Sequence, residues 1–257
     1  MLLAMDVGNT NITMGLLDGE KVLATFRMTT GQSRTSDEFG SSIVLMLERK
    51  GYDIKQIEDV IISSVVPNVM YSLTSGIIKY LDLEPMVVGI GTKTGIQIKR
   101  TDPKELGPDR IVDAVGAYAK CKSACIVLDF GTATTCDLIG PEGSFEAGVT
   151  MPGIELSARA LTEGTARLPD FFIKKPESIL ATDTISSMQA GVFYGAIGQI
   201  EHIITKMKDE CEFDDVKVIA TGGLGRLISE NTNMIDIYDS ELTLQGMRII
   251  YEKNRNV

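Results

Sequence analysis

Apolar and polar residues alternate in blocks along this chain of 257 residues. The first apolar block runs from Met1 to Met5 and ends at a carboxylate, Asp6, which a Gly-Asn-Thr turn follows. Two further β-leaning runs come next, separated by Asp18-Gly19, a pair that is typical of a hairpin turn. The pattern therefore predicts a buried strand that carries an acid at its end and continues into a meander.

The same arrangement recurs half a chain later, in "IVLDFGTATTCDLIGPEG" at residues 126–143. An apolar strand again ends in an aspartate, Asp129, and a glycine again follows two residues later, before a Thr-rich run. A motif repeated at this distance indicates two related halves. We place them at residues 1–117 and 118–257.

Helical patterns lie between the strands. Thr35 and Glu38 form a capping box that predicts a helix ending at Gly51, and Pro67 is a favourable helix start after the buried-strand run at 59–66. A turn at Gly107 leads into another helical pattern. The mixture predicts an α/β fold.

Charge and cysteine content narrow the classes of function. The net charge of −10 disfavours a nucleic-acid partner, because basic residues are not clustered to meet phosphates. No apolar run approaches the ~18 residues of a membrane span. The four cysteines do not form a disulfide framework, which is typical of a protein in the reducing cytoplasm.

The two acidic loops predict a phosphate site. Glycine lets the backbone approach a ligand closely, and consecutive N–H groups in a tight turn bind anions. An aspartate beside such a turn would repel phosphate unless a cation lies between them, so Asp-x-Gly-x-Thr indicates phosphate held with Mg²⁺. The alternative is a simple tight turn in which the aspartate accepts backbone hydrogen bonds.

Other phosphate-binding signatures are missing from the sequence. It has neither a P-loop nor a convincing G-x-G-x-x-G after a strand. The glycine-rich run at 221–225 follows a predicted strand. Its glycines would either leave a flat surface for a nucleobase or only connect the strand to a helix.

Taken in order, these motifs resemble those of type III pantothenate kinases over residues 5–225. The resemblance implies the acetate and sugar kinase, heat-shock protein and actin superfamily: two duplicated ribonuclease H-like halves in the actin-like ATPase fold, with a nucleotide cleft between them. The matching motifs are Asp6-x-Gly8-Asn9-Thr10, Gly107-Pro108-Asp109-Arg110, Asp129-x-Gly131-Thr132-Ala133-Thr134-Thr135, Pro152-Gly153, the Thr184 segment and Thr221-Gly222-Gly223.

The resemblance also implies an activity and its partners. We expect ATP-dependent phosphorylation of pantothenate to 4'-phosphopantothenate, the first step of coenzyme A biosynthesis, with Mg²⁺ accompanying ATP. A homodimer and a monovalent cation, K⁺ or NH₄⁺, are implied as well. The sequence alone leaves two alternatives open: another small-molecule kinase of the same fold, or a non-catalytic nucleotide-binding regulator, which would not need a base.

Residue roles carried over from the family are expectations for this sequence. Asp109 is the expected general base, Asp129 the expected ligand of the monovalent cation, and a pantothenate contact is expected near Arg100. The expected substrate-binding residues are Gly107, Pro108, Asp109, Arg110 and Thr184. The expected ATP-binding residues are Asp6, Val7, Gly8, Asn9, Thr10, Asn11, Ile12, Thr13, Thr132, Gly222 and Gly223.

Two of these roles have simpler alternatives in the sequence. Asp109 stands where a helix begins, so it is also a candidate N-cap, a position that favours aspartate. Thr184 follows Asp183 and would then be only the first residue of a helix.

A long helical pattern from Thr184 to about Lys208 raises a separate question. It carries Gly191, Gly195 and Gly198, each of which disfavours a helix by about 1 kcal/mol relative to alanine. Small residues on one face let another backbone approach closely. The approaching element would be either part of the same chain or a second subunit.

Overall fold

The computed structural model describes residues 1–99, 102 and 105–255, and these fold into two compact α/β units. The first unit consists mainly of the chain up to Ile96, a helix in the middle of the sequence, and the segment that begins at Glu241. The second unit consists mainly of Lys120–Ser240. None of the helices in the described residues is long and apolar enough to cross a bilayer.

The strands and helices follow one another as the apolar blocks predict. In chain order the strands are β1 (Leu2–Val7), β2 (Asn11–Asp18), β3 (Lys21–Thr29), β4 (Asp59–Ser64), β5 (Met86–Val87), β6 (Gln97–Ile98), β7 (Cys125–Phe130), β8 (Ala133–Ile139), β9 (Ser144–Pro152), β10 (Lys217–Gly222) and β11 (Ile237–Tyr238). The helices are α1 (Ser36–Arg49), α2 (Pro67–Leu81), α3 (Pro108–Cys121), α4 (Ile154–Glu163), α5 (Thr184–Glu210), α6 (Gly225–Ser229) and α7 (Leu242–Asn254).

The two sheets have the same topology. In the first unit the strand order is β3-β2-β1-β4-β5, with the β1–β2–β3 meander antiparallel and β4 and β5 parallel to β1. The second sheet repeats this order as β9-β8-β7-β10-β11, and β6 extends it beside β9. The predicted duplication of an α/β half is confirmed.

Strand β1 is apolar from Leu2 to Met5 because both of its faces are buried there. Leu3 and Met5 lie in a core that α1 and α2 cover, whereas Leu2 and Ala4 lie in a second core formed with α3 and α7. A strand covered on both sides needs apolar residues at every position, which explains the unbroken run before Asp6.

Helix α1 begins as the capping box predicts. Thr35 accepts a hydrogen bond from the backbone N–H of Glu38 (3.3 Å), and the Glu38 carboxylate accepts one from the Thr35 N–H (2.7 Å). The helix ends at Arg49, and Gly51 follows with φ +83°. Helix α2 starts at Pro67, as expected from the sequence.

Helices α1 and α2 pack backbone to backbone at two glycines. A Cβ added to Gly76 would lie 2.5 Å from the Ser36 carbonyl oxygen, and one added to Gly40 would lie 2.8 Å from the Gly76 carbonyl oxygen. Neither contact can relax by a side-chain movement.

Replacing Gly76 by alanine should therefore lower the free energy of unfolding by about 1–3 kcal/mol, the usual effect of overpacking. This outweighs the gain of up to about 1 kcal/mol that alanine gives a helix. Denaturant titration would measure the change, with Glu48→Ala on the exposed face of α1 as the control. A Gly76→Ala protein as stable as the parent would contradict this interpretation of the packing.

The second unit has one main core beneath α4 and α5. Phe193, Ile197, Ile200 and Ile204 of α5 pack in it with alternate residues of β7, β8 and β10. The exposed face of α5 carries the three glycines. A Cβ added at Gly191, Gly195 or Gly198 would meet no atom within 4 Å, so the alternative that an element of the same chain fills this face is wrong for the described residues.

The C-terminal helix belongs to the first unit. Helix α7 packs against β1 and β4, and the Leu244 side chain lies over Gly15, where an added Cβ would be 2.5 Å from it. The division into 1–117 and 118–257 stays a proposal for the order of the halves along the chain. The two structural units differ from this simple order, because the segment that begins at Glu241 packs in the first unit.

Candidate active site

The loop after Asp6 is held by hydrogen bonds at both ends. The Gly8 N–H donates to the Asn11 carbonyl oxygen (3.0 Å) across the β1–β2 turn. Thr30, which is buried, donates from its hydroxyl to the Gly8 carbonyl (2.7 Å) and from its N–H to the Thr10 carbonyl (2.9 Å). The turn therefore has a fixed shape, and sequence reasoning did not find Thr30 as the residue that fixes it.

The predicted ATP-binding residues at this turn differ in exposure. Asn9, Thr10 and Asn11 are exposed, whereas Val7 and Ile12 are buried in the core beneath α1 and α2. A ligand at the turn would therefore meet the side chains of the exposed residues, and Val7 and Ile12 could contribute only backbone groups.

Asp6 lies in a polar row across the sheet. It pairs with Thr13 on β2 and with Ser63 on β4, and paired positions of adjacent strands have side chains on the same face. Asp6 and Thr13 are partly buried, and Ser63 is fully buried. The row faces the same side as Leu2 and Ala4, the side on which α3 packs.

Asp109 lies in the first turn of α3. The helix begins at Pro108, so Asp109 is its second residue and the N-cap interpretation is wrong. The physical reason is that proline suits the first helical position, which places the cap at Gly107, two residues before Asp109. The Asp109 Oδ1 atom instead accepts a hydrogen bond from the Arg110 N–H (2.8 Å).

The surroundings of Asp109 favour a basic carboxylate. Burial raises its pKa above the ordinary value, and the hydrogen bond and positive charge of Arg110 partly oppose that rise. Gly107 lies close to this carboxylate: an added Cβ would be 2.4 Å from Asp109 Oδ1, so a larger residue would displace the Asp109 side chain, and it would be 3.6 Å from the Val65 side chain.

Val65 directly follows β4, so the start of α3 lies at the carboxyl end of that strand. Strands β1 and β4 are parallel, and Asp6 lies near the carboxyl end of β1. Asp6 and Asp109 are therefore at the same edge of one sheet, within a single unit.

Asp129 occupies the equivalent position in the second unit. It pairs with Thr135 on β8 and Thr221 on β10, so a hydroxyl residue again flanks the acid on each neighbouring strand. A Cβ added to Gly222 would lie 2.6 Å from Asp129 Oδ1, and one added to Gly131 would lie 3.2 Å from Oδ2. The carboxylate therefore lies between two glycines.

Gly222 is fixed in two further ways at the end of β10. Its φ is +90°, a conformation that favours glycine, and its carbonyl accepts a hydrogen bond from the Tyr238 hydroxyl (3.1 Å). The next residue, Gly223, is exposed. Of the two sequence interpretations of this run, the connection from strand to helix is present, since α6 begins at Gly225.

The loop that carries Thr132 packs on the start of α4. The Gly153 N–H donates to the Thr132 carbonyl oxygen (3.1 Å), and a Cβ at Gly153 would lie 2.2 Å from that same oxygen. Gly153 is the N-cap of α4. These contacts hold Thr132 at the carboxyl end of β7, on the edge where Asp129 lies.

Thr184 is exposed as the first residue of α5. The side chain of Asp183 caps this helix by accepting a hydrogen bond from the Ser186 N–H (3.0 Å). The helix-start interpretation is therefore confirmed, and a contact of Thr184 with pantothenate stays a prediction. The expected contact at Arg100 lies outside the described residues.

The side-chain atoms that could bind a metal ion in both polar rows are hard oxygen atoms, the kind that Mg²⁺ and monovalent cations prefer. In the part of the chain that the structure describes, no three acidic, histidine or cysteine residues are grouped to hold a metal by themselves.

Fold and site together define a class. A duplicated α/β half with the same strand order in both sheets is the fold of the actin-like ATPases and sugar kinases. The activator of 2-hydroxyisocaproyl-CoA dehydratase from Clostridium difficile, solved with ADPNP, has this fold: it matches all of this chain and 97% of its own length, with a TM-score of 0.57 at 13% identity.

The model of the type III pantothenate kinase family matches residues 2–206. Type III pantothenate kinases from Agathobacter rectalis and Bifidobacterium longum subsp. infantis are 53% and 46% identical to this chain. The alignments cover 98% and 99% of this chain and 97% and 99% of the relatives. The chain belongs to the type III pantothenate kinase family.

Proposed function

We propose that this chain transfers the γ-phosphoryl group of ATP to the primary hydroxyl of pantothenate, giving ADP and 4'-phosphopantothenate in the first step of coenzyme A biosynthesis. Family membership over nearly the whole chain supports the reaction. The observation that carries the chemical assignment is the partly buried Asp109, with a raised pKa, at the sheet edge where Asp6 also lies.

In this proposal Asp109 accepts the proton of the pantothenate hydroxyl while the hydroxyl oxygen bonds to the γ-phosphorus atom. The bond from that phosphorus to the β–γ bridging oxygen breaks, and ADP leaves. Phosphoryl transfer has a loose transition state, so orientation of the two substrates contributes much of the rate. We assign that orientation to Gly107, Pro108, Arg110 and Thr184.

A kinase of this family uses ATP with a divalent metal, which we assign as Mg²⁺. We propose that residues Asp6–Thr13 contact the ATP phosphates in the first unit, with Thr132 in the second, and that Gly222 and Gly223 contact the nucleotide. The closed Gly8 turn and its exposed polar residues support this assignment. The four thiols are free, which supports a place for the reaction in the reducing cytoplasm.

We expect potassium or ammonium to activate the enzyme several-fold more than sodium does, through Asp129. Such an ion would offset the negative charge of the Asp129 carboxylate beside a bound nucleotide. Initial rates at fixed Mg²⁺ and ionic strength would show the difference, and Asp129→Asn should abolish it. Equal rates in potassium and sodium salts would contradict the assignment.

A homodimer is also part of the proposal. Gly191 and Gly195 of α5 help to form a groove of about 380 Å³ with residues of α4, including Ile154 and Leu161. The groove is lined mainly by apolar residues and is open within the described residues. A second copy of the chain would cover this surface, which would explain why glycines are kept inside a long helix.

The proposed function is tested by offering the purified protein ATP, Mg²⁺ and a panel of hydroxyl acceptors. Mass spectrometry should detect phosphopantothenate, and pantothenate should give the highest kcat/KM. Turnover of a different acceptor alone would favour another kinase of the same fold. ATP binding without phosphorylation of any acceptor would favour a regulator.

A further inference from the structure

We propose that Ser63 is a positioning residue for phosphoryl transfer, and that its hydroxyl orients the Asp6 carboxylate toward metal-bound ATP. The inference rests on the proposed function, because it assigns Asp6 to the nucleotide site. Ser63 would act only through Asp6 and would not touch either substrate. Neither the motifs in the sequence nor the family resemblance identified this residue.

The strand register places Ser63 beside Asp6. Strands β1 and β4 are parallel, and their register pairs Ala4 with Ile61 and Asp6 with Ser63. Ala4 and Ile61 both lie in the core that α3 and α7 cover. Because side chains alternate along a strand, Asp6 and Ser63, two residues further on, face the same side.

The burial of Ser63 makes its hydroxyl group unusual. The residue has no exposed surface, and its Oγ has no hydrogen-bond partner among the described residues. A buried hydroxyl without a partner destabilises a fold, and alanine would fit the same strand without that disadvantage. The hydroxyl therefore has no structural task here that would explain its presence.

The next residue shows what a structural serine looks like at this strand end. Ser64 points to the other face, and its Oγ accepts a hydrogen bond from the Val66 N–H (3.1 Å), which shapes the turn into α2. The turn is thus accounted for by Ser64. Ser63 lies on the opposite face, the face that also carries Asp6, and the turn does not need its hydroxyl.

The second unit repeats the arrangement independently. Thr221 on β10 pairs with Asp129 on β7, in the same parallel relation, and only 2% of its surface is exposed. Both halves therefore place a buried hydroxyl residue next to the acid at the end of the first strand. Retention of this feature in two halves indicates that the acid needs it.

In the structure the Ser63 hydroxyl does not bond to Asp6. In the proposal, rotation of the Ser63 side chain lets its hydroxyl donate a hydrogen bond to a carboxylate oxygen of Asp6 and limit the rotation of that carboxylate. A carboxylate held in one orientation can place the metal that accompanies ATP with less reorganisation during the reaction. We therefore expect the role of Ser63 to be visible in metal-dependent nucleotide binding as well as in turnover.

The experiment compares Ser63→Ala, Ser63→Thr and the matched control Ser64→Ala. Ser63→Ala should lower kcat about tenfold, the effect of one lost hydrogen bond, and raise the Mg²⁺ concentration needed for half-maximal rate. Its KM for pantothenate should stay unchanged, and its melting temperature should not fall. Ser63→Thr, which keeps the hydroxyl, should restore most of the rate, and Ser64→Ala should leave the Mg²⁺ requirement unchanged.

Calorimetric titration with a non-hydrolysable ATP analogue separates this proposal from the proposed function. A wild-type protein that does not phosphorylate pantothenate would defeat the substrate assignment, whereas weaker Mg²⁺-dependent analogue binding by Ser63→Ala would still support Ser63. Unchanged kcat and analogue binding in Ser63→Ala would overturn the proposal. The proposal would also be overturned if Ser63→Ala lowered both stability and rate, and Ser63→Thr restored the stability but not the rate.

Discussion

Replacing Asp109 by asparagine should lower kcat by about 10²- to 10⁴-fold, the usual range for the loss of a general base. Asparagine has nearly the same size and can still accept the Arg110 N–H through its side-chain oxygen, so the first turn of α3 keeps its hydrogen bond. Only the basic carboxylate is lost. ATP affinity should change little, and steady-state kinetics with a separate nucleotide titration would show this.

The pH dependence gives a second test of the same residue. A base must be deprotonated, so the rate falls as the pH drops below the pKa of Asp109. Because burial raises that pKa, the acidic limb of the kcat/KM profile should lie at higher pH than it would for an exposed aspartate. The Asp109→Asn enzyme should have lost this limb.

Stability should not explain the loss of rate. The raised pKa means that the folded state binds the Asp109 proton more tightly than the unfolded state does. Ionisation of this group therefore removes stability as the pH rises from the unfolded pKa to the folded pKa. Since asparagine has no charge to bury, Asp109→Asn should melt no lower than the parent at neutral pH.

The matched control for Asp109→Asn is Asp82→Asn. Asp82 is exposed at the C-cap of α2 with φ +57°, a conformation that asparagine tolerates. The chemical change is the same, and kcat should be unaffected. Near-normal kcat in a folded Asp109→Asn protein would instead leave Asp109 with a structural role only.

Gly195→Leu should abolish both the proposed dimer and the activity that depends on it. A Cβ at this position meets no atom of its own chain within 4 Å, so the fold tolerates a side chain there. The leucine would project into the α4–α5 groove, where we place the second subunit. Analytical ultracentrifugation should show a monomer whose circular dichroism spectrum matches that of the parent.

Lys206→Leu is the control for a new leucine on the exposed face of α5. It lies 11 residues, or about 16 Å, further along the helix and should leave assembly intact. A parent protein that is a fully active monomer would rule out the obligate dimer. A Gly195→Leu protein that stays dimeric and active would move the interface to another surface.

Local signals in the sequence were sufficient for most of the fold. The capping box at Thr35, Pro67 at a helix start and the repeated acid after an apolar strand all depend on neighbouring residues, and the structure has each of them. The same holds for the duplication, because the two halves repeat a pattern that can be read without knowing any contact.

Features that depend on long-range pairing could not be predicted. Ser63 is separated from Asp6 by 57 residues in the sequence, and only the register of β1 with β4 brings them together. The same limit applies to α7, whose apolar stripe does not indicate which unit it covers. The N-cap assignment of Asp109 was wrong by two residues, because Pro108 takes the first helical position and Gly107 precedes it.

The position of α7 has a consequence for how the chain folds during synthesis. Protein domains generally fold as units while the chain emerges from the ribosome, N-terminal parts first. Here the first unit lacks α7, the helix that carries Leu244, until residue 254 has been made, whereas the last described strand of the second sheet already ends at Tyr238. The unit whose strands are synthesised first is therefore completed last, because one face of its sheet stays uncovered until α7 has been made.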